Sequence, residues 1–475
     1  MSTTALRGIE ILGCDFVVPN EEAIVAEILP RWSELHIGRP AIIISPRTEQ
    51  DIAAAINLAK LNNLKVIPAG GRHACFVAID ETSLVLDMSL FNTIQLNKEN
   101  GSVQIGAGVL TRELIRELAG EGYYTTLPGS NAVGVVGALL GGGITHCTGL
   151  HGYMSDNALS FRVITAAGEA VDVGADSSGE ERRLFDTLRG AGHGLAVVTD
   201  VLMKAYPVSK LELTEGKVWS RTLIFPPPAL EDVQKLFFDL HPVSEKLNAQ
   251  ISFVRSPPNT PFPGTPLIIL SVSYYGSATD AERDTRELFD ESFCSKAVKV
   301  DTSLVPLANV NDALEAINAC GGLKSTNAAR LKNLRKDAIT KSFAAWFKIT
   351  ESIEDSKRTA VVFHSFNPAS ATAAGAGTGK HFDFVEGRDR GFAVTVSTWC
   401  MKPESHLELA NLAENLVKTC QEGDGSVGIK LPNSMRLNEN PTDLFGPDRL
   451  AHLRLVKKHW DEDDLFWTPH SGSKE

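Results

Sequence analysis

Two hydrophobic periods organise this chain. Residues 41–44 form a short, continuous apolar run that stops at Pro46, the mark of a buried strand. Thr48 then suits a helix N-cap, with Glu49 and Asp51 in the first turn, where the helix dipole favours negative charge. Ile52, Ala55, Ile56 and Ala59 recur at helical spacing, so a helix is predicted to end near Asn62-Asn63. Leu64-Lys65-Val66-Ile67 opens the next strand, and this strand–helix–strand unit runs into Gly70-Gly71. Asn100-Gly101 between two alternating apolar segments predicts a hairpin. From about residue 210 the texture changes. Strands are predicted at 249–254, 267–275, 360–366 and 391–399, and helices at 230–240, 279–293, 310–319 and 406–419. That order suggests an antiparallel sheet backed by helices. The prolines at 226–228 and 257–261 mark loops, and the small residues of 369–379 mark a flexible turn. The fold class expected is α+β, without internal repeats.

Composition narrows the function. A chain of 475 residues is more natural as two domains than one. With 43% hydrophobic and 22% charged residues it reads as a globular enzyme. There is no apolar run of about 18 residues, so no membrane partner is expected. A net charge of −12 argues against nucleic acid. Seven cysteines without close spacing suggest reduced thiols and no metal site. The first residues lack the apolar core of a secretory signal, and the last are not a peroxisomal address, so a cytoplasmic location is expected.

Candidate chemistry centres on Val66-Ile67-Pro68-Ala69-Gly70-Gly71-Arg72-His73-Ala74. Paired glycines let the backbone approach a bulky anion, and successive N–H groups in such a turn can form an anion-binding nest. Arg72 adds a permanent charge and His73 a nucleophilic imidazole. The loop suggests a diphosphate held by backbone, with one histidine against a cofactor; a tight turn with an incidental histidine is the alternative. A nicotinamide fold is a poor rival. Its best candidate, Gly106 and Gly108 before a helix, lacks the third glycine and the acidic residue about 20 positions on.

Four ordered landmarks carry a resemblance. They are the Gly70–Ala74 loop; Leu127-Pro128-Gly129-Ser130 through Gly134, Gly137 and Gly141-Gly142-Gly143; Asp156-Asn157 before a strand; and 189–199, with Val197. Together they resemble the FAD-linked oxidases with a PCMH-type (vanillyl-alcohol oxidase-like) FAD-binding domain, in the berberine-bridge-enzyme-like branch. A worn version of that family's tail follows, with Asn433 as the asparagine that reaches the flavin and Asn438 and Asn440 as competitors. The resemblance implies FAD bound by Gly70, Gly71, Arg72, Ala74, Pro128, Gly129, Gly134, Gly137, Gly141, Gly142, Gly143, Asp156, Asn157, Val197 and Asn433. It implies a covalent bond from His73 to the flavin 8α-carbon. Doubly tethered members use a cysteine where this chain has Ser130, so a single tether is expected. Val133 matches a position that gates oxygen in relatives. The chain departs from the family at Gly194, Ala196, Leu431 (for tyrosine) and Phe445.

The resemblance implies a PCMH-type FAD-binding domain from 1–207 and 428–475, with a substrate domain at 208–427. It implies hydride removal from a small, aromatic or secondary-metabolite substrate, with O2 as acceptor and hydrogen peroxide as product. A flavin dehydrogenase with another acceptor, and a redox-neutral cyclase or binding protein, are the alternatives. The substrate-side base is sought among Tyr274, Tyr275, His364, His381, Glu386 and Arg388, with His364, Glu386 and Arg388 as the candidate catalytic residues. Strand alternation puts His364 on the face of Val362 and Phe366, a face that can be core. Residues 386–390 read as a charged turn, in which Arg388 or Arg390 could line the site.

Overall fold

A computed structural model describes residues 6–376, 382–424, 429–437 and 439–469. Two sheets form the first layer. The smaller has the strand order Asp15–Val17, Ile42–Ser45, Ser83–Asp87, Lys65–Ala69, parallel except at its first pair. The strand–helix–strand unit is present. Thr48 Oγ1 accepts from Asp51 N at 3.2 Å, and the Asp51 carboxylate accepts from Thr48 N at 2.9 Å. This reciprocal cap starts the Glu49–Asn62 helix, which ends where Asn63 turns left-handed at φ 53°. Its buried face, Ile52, Ala55, Ile56 and Ala59, is the one the spacing specifies. The second sheet is five-stranded and antiparallel, and Asn100-Gly101 turns its Ile94–Asn97 and Ser102–Gly106 hairpin.

The last described residues return to this layer. Val66 N donates to Leu465 O and Trp467 N to Val66 O, both at 3.0 Å. The Pro447–Trp460 helix packs on the Gly179–Ala191 helix.

Beyond residue 216 the chain builds one antiparallel sheet of seven strands. Their order is Lys299–Pro306, Lys217–Phe225, Pro266–Tyr274, Leu247–Arg255, Ala360–Ser365, Phe392–Cys400, Leu323–Leu331. Its register is continuous. Leu223, Leu270, Ile251, Phe363, Val394 and Ala329 lie side by side across six strands and are all buried in one core with the helices Leu230–Asp239, Lys336–Ser352 and Pro403–Gln421. One residue along each strand, Thr222, Ser271, Gln250, His364, Ala393 and Arg330 form a second row, on the opposite face because side chains alternate. His364 therefore does not share the core face. Val361 and Phe363 hold that face instead.

Several expected elements differ. Residues 369–376 are a helix, Ala369–Ala376, rather than a flexible turn; alanine is the best helix former, and Ala371 is buried. The 279–293 helix breaks into the pieces Ala278–Asp284, Arg286–Phe289 and Glu291–Cys294. The 310–319 helix reduces to a 3₁₀ turn and Glu315–Asn318. Among the described residues, no helix is long and apolar enough to cross a membrane.

Candidate active site

A cavity of about 690 Å³ lies between the glycine turns of the first layer and the polar row of the seven-stranded sheet. Its two walls are chemically unlike.

The first wall is backbone. The loop after Lys65–Ala69 meets the turn before the Val135–Leu140 helix so closely that a Cβ on Gly71 would lie 2.1 Å from Gly134 N. Conversely, a Cβ on Gly134 would lie 2.6 Å from Gly71 N. Only glycine permits two main chains to cross at that distance. The wall continues through Gly70, Ala74, Pro128, Gly129, Gly137 and Gly143 to His193 and Gly194. Arg72 joins it at φ 55°, its guanidinium 3.4 Å from Asp87.

His73 stands on this wall. Its imidazole stacks on Trp32, with ring centroids 4.5 Å apart and planes at 15°. Lys324 covers Trp32 at 5.2 Å and lies 3.9 Å from the Trp399 ring. The lysine is only 1% exposed, and burial lowers its pKa to about 8. Burial first, and the Lys324 charge second, hold His73 down to about 4. The ring is therefore neutral at pH 7, and its Nε2 is buried without a hydrogen-bond partner among the described residues. His193 is similar. Its Nε2 donates to Gly137 O at 3.1 Å, and its Nδ1 is buried without a partner among the described residues. A cradle of glycine backbone, whose N–H groups can donate and whose missing Cβ atoms allow close approach, fits a dinucleotide's diphosphate and ring, and the neutral imidazole of His193 adds an unsatisfied acceptor nitrogen. The residues present fit FAD.

The second wall is side chains from the sheet, with Thr222, Ser271, Gln250, His364 and Arg330 in one row and Ser220, Ser273 and Asn248 in the next. Tyr275 and His146 join it, their rings 6.3 Å apart and nearly parallel at 19°. Burial pushes the Tyr275 phenol well above its usual range and lowers His146. Burial lowers His364 to about 4, with His146 adding to the effect. Arg330, buried, donates to Tyr153 Oη at 2.7 Å and to the Glu386 carbonyl.

The residues singled out in the sequence separate into two groups. Gly70, Gly71, Arg72, His73, Ala74, Pro128, Gly129, Val133, Gly134, Gly137, Gly143, Asn433 and His364 all line the cavity. The others do not. Ser130 points away and donates to Asn318 Oδ1 at 2.6 Å. Gly141 backs onto Asn433, whose Oδ1 a Cβ would meet at 2.1 Å, while Asn433 Nδ2 donates to Ala138 O at 2.7 Å. Gly142, at φ 95°, packs against Val385, and Val197 is buried in the core.

Asp156 accepts from both Arg388 Nη atoms at 2.8 Å, and Arg388 Nε donates to Asp383 at 2.6 Å. Asn157 donates to His151 O and Tyr153 O and accepts from Tyr206 Oη at 2.6 Å. Glu386 pairs with Arg449. Glu386 and Arg388 are thus tied up outside the cavity, and residues 386–390 are not a solvated turn, because Arg388 and Arg390 are buried ion-pair members. Tyr274 donates to Asp284 at 2.9 Å. Asn440 accepts from Thr442 N within its own turn. His381 and Asn438 lie outside the described residues.

Sequence reasoning passed over Gln250, Thr222, His146, Trp32 and Lys324 as site residues. His146 follows the triple glycine, which was a signal; strand register would have served for Gln250, Thr222 and Lys324, and Trp32, in a loop, carried no signal.

Comparisons with known proteins agree with this geometry. Residues 40–174 match the model of an FAD binding domain. The FAD-linked oxidoreductase hasG of Aspergillus fumigatus is 26% identical over 467 residues, covering 94% of this chain and 95% of that one. The solved structure of Physcomitrella patens BBE-like 1 superposes with a TM-score of 0.80 at 16% identity, covering 100% of each chain. Glucooligosaccharide oxidase from Acremonium strictum, described with a 6-S-cysteinyl, 8α-N1-histidyl FAD, gives 0.74 at 17% identity over 95% of each. The protein is an FAD-dependent oxidoreductase. Residues 40–174 carry its FAD binding domain, and its fold is that of the berberine-bridge-enzyme-like FAD-linked oxidases.

Proposed function

We propose that this enzyme is an oxidase of a small metabolite, with its flavin joined covalently to His73 alone and O2 as the electron acceptor. The observation that carries the tether is the His73 imidazole: buried, neutral and unpartnered at Nε2, on the glycine wall. A neutral ring is the nucleophilic form. The Acremonium oxidase is described with both a cysteinyl and a histidyl bond. Here Ser130 stands in the cysteine's place, has no sulfur, and turns its hydroxyl to Asn318.

When bound, FAD supplies a hydride acceptor. The chain's own residues do the rest. Gly71 and Gly134 bring their main chains close enough to cradle a diphosphate, and Trp32 fixes the His73 ring plane. The sheet wall orients the substrate, and His364 takes the proton that accompanies hydride loss. Val133, on the cavity wall, supports oxygen as acceptor through its match to the family's gate. We assign 1–207 and 428–475 to the FAD domain and 208–427 to the substrate domain; the Val66 hydrogen bonds to Leu465 and Trp467 support that division.

Acid precipitation is the test of the tether. Flavin should stay with the protein, on the His73 peptide by mass spectrometry, and should be released by acid from His73→Ala. Flavin on a cysteine peptide, or none bound covalently, refutes it. Peroxide formed in step with substrate turnover in air tests the acceptor.

A further inference from the structure

We propose that the substrate is an uncharged alcohol bearing a hydrogen on its carbinol carbon, that Thr222, Ser271, Gln250 and His364 read its hydroxyl, and that protonated amines are refused. This deepens the oxidase reading and rests on it.

The first ground is what the cavity lacks and what it carries. Among the described residues lining it there is no aspartate or glutamate, while three are arginines, Arg31, Arg72 and Arg330. Arg31 is committed to Ala74 O and Val77 O, and Arg72 to Asp87. Arg330 stands in the same cross-strand row as His364. An ammonium entering this space would lose its water, find no counter-ion and meet a guanidinium. Burial of an unpaired charge is among the costliest steps in protein chemistry.

The second ground is proton chemistry. Amine oxidation needs the free amine, so a bound ammonium must first lose a proton. An alkylammonium titrates at about 10, as a lysine side chain does. His364, facing His146, Tyr275 and Arg330, is held near 4. Proton transfer from ammonium to that imidazole would be disfavoured by roughly a million-fold. An alcohol makes no such demand. As the carbinol C–H breaks and leaves with its electron pair, the attached O–H becomes that of a protonated carbonyl, a strong acid. Even a weak base then suffices. The balance is simple. The C–H bond yields a hydride to the flavin, the O–H bond yields a proton to His364, and a C=O bond forms. The alcohol is oxidised by two electrons and the flavin reduced by two.

The third ground is the row itself. Gln250 pairs directly with His364 and with Ser271, which pairs with Thr222. These are neutral groups that both donate and accept, as a hydroxyl does.

The experiment uses the holoenzyme and matched probes: indanol and aminoindane, benzyl alcohol and benzylamine, cyclohexanol and cyclohexylamine. Anaerobic flavin bleaching and calorimetric binding are read for each pair at pH 7.5. Alcohols should bind and bleach; the amines should do neither. His364→Gln should keep its flavin and its alcohol binding but be bleached ~100-fold more slowly. Gln250→Glu should gain amine binding. Bleaching by any of the amines, the absence of bleaching by every alcohol, or an unchanged rate in His364→Gln overturns the proposal. Photoreduction followed by mixing with air tests the oxidase reading separately, since it needs no substrate. If photoreduced enzyme is reoxidised quickly while amines bleach it, the substrate class is wrong and the oxidase reading stands.

Discussion

The two walls of the cavity solve different problems with different parts of the chain. The FAD wall uses main chain: Gly71 and Gly134 cross at a distance that no side chain tolerates. The substrate wall uses side chains set on rigid strands, in a register unbroken from Thr222 to Arg330. A cofactor shared by many enzymes is met by groups that every residue carries. A substrate particular to one enzyme is met by groups chosen residue by residue.

The largest test of that contrast is Gly71→Ala. Its Cβ would collide with backbone rather than with a movable side chain, so the variant should lose its flavin, read as the absorbance ratio of purified protein. A flavin-replete Gly71→Ala would break the comparison. Next comes Arg388→Met. Buried Arg388 bridges Asp156 of the first layer to the half-buried Asp383. Its loss should cost about 3–5 kcal/mol by denaturant unfolding. Substrate choice should not change, because Arg388 lies off the cavity. Lys324→Met removes a charge that depresses His73. The His73 titration in apoprotein should move upward by NMR, and covalent flavin incorporation below pH 6 should fall several-fold, whereas Lys324→Arg should restore both. Smallest is Val133→Leu, which should slow reoxidation by oxygen a few-fold while leaving reduction nearly unchanged. Equal effects on the two half-reactions would remove Val133 from oxygen control.

Acid sharpens the same comparison globally. His193 and His364 sit near 4 in the folded protein and start from 6.5. The unfolded chain therefore binds more protons between those values. Their contribution to stability is complete above about pH 6.5 and should be lost progressively as pH falls to about 4. Urea unfolding across that window measures it. Turnover should fail at its lower edge, where His364 becomes protonated.

The first wall was largely legible in the sequence because its chemistry is local. A glycine pair, a histidine and a reciprocal Thr48–Asp51 cap declare themselves within a few residues. The second wall was not, because it is made by pairing across long separations. His364 could be placed on a strand, but which face was core depended on helices elsewhere in the chain. Leu323–Leu331 was missed because its buried positions include Lys324 and Arg330, cations that normally mark a surface. Lys299–Pro306 was missed because it is an exposed edge strand with little burial pattern to read. Glu386 and Arg388 looked chemical because charges near a presumed active site do; their partners, Arg449 and Asp156, come from distant segments.

The continuous register of the seven-stranded sheet has a consequence for how such an enzyme could change its diet. Along Leu247–Arg255, Asn248 and Gln250 face the cavity, while Ile251 and Phe253 are buried in the core behind it. Taste and backbone strength are thus written on alternate letters of the same word. Replacing even-numbered letters on this strand can retune what is eaten while the odd-numbered ones keep the sheet seated on its helices. An insertion of one residue would exchange the two scripts at a stroke, turning grease into the mouth and amides into the core.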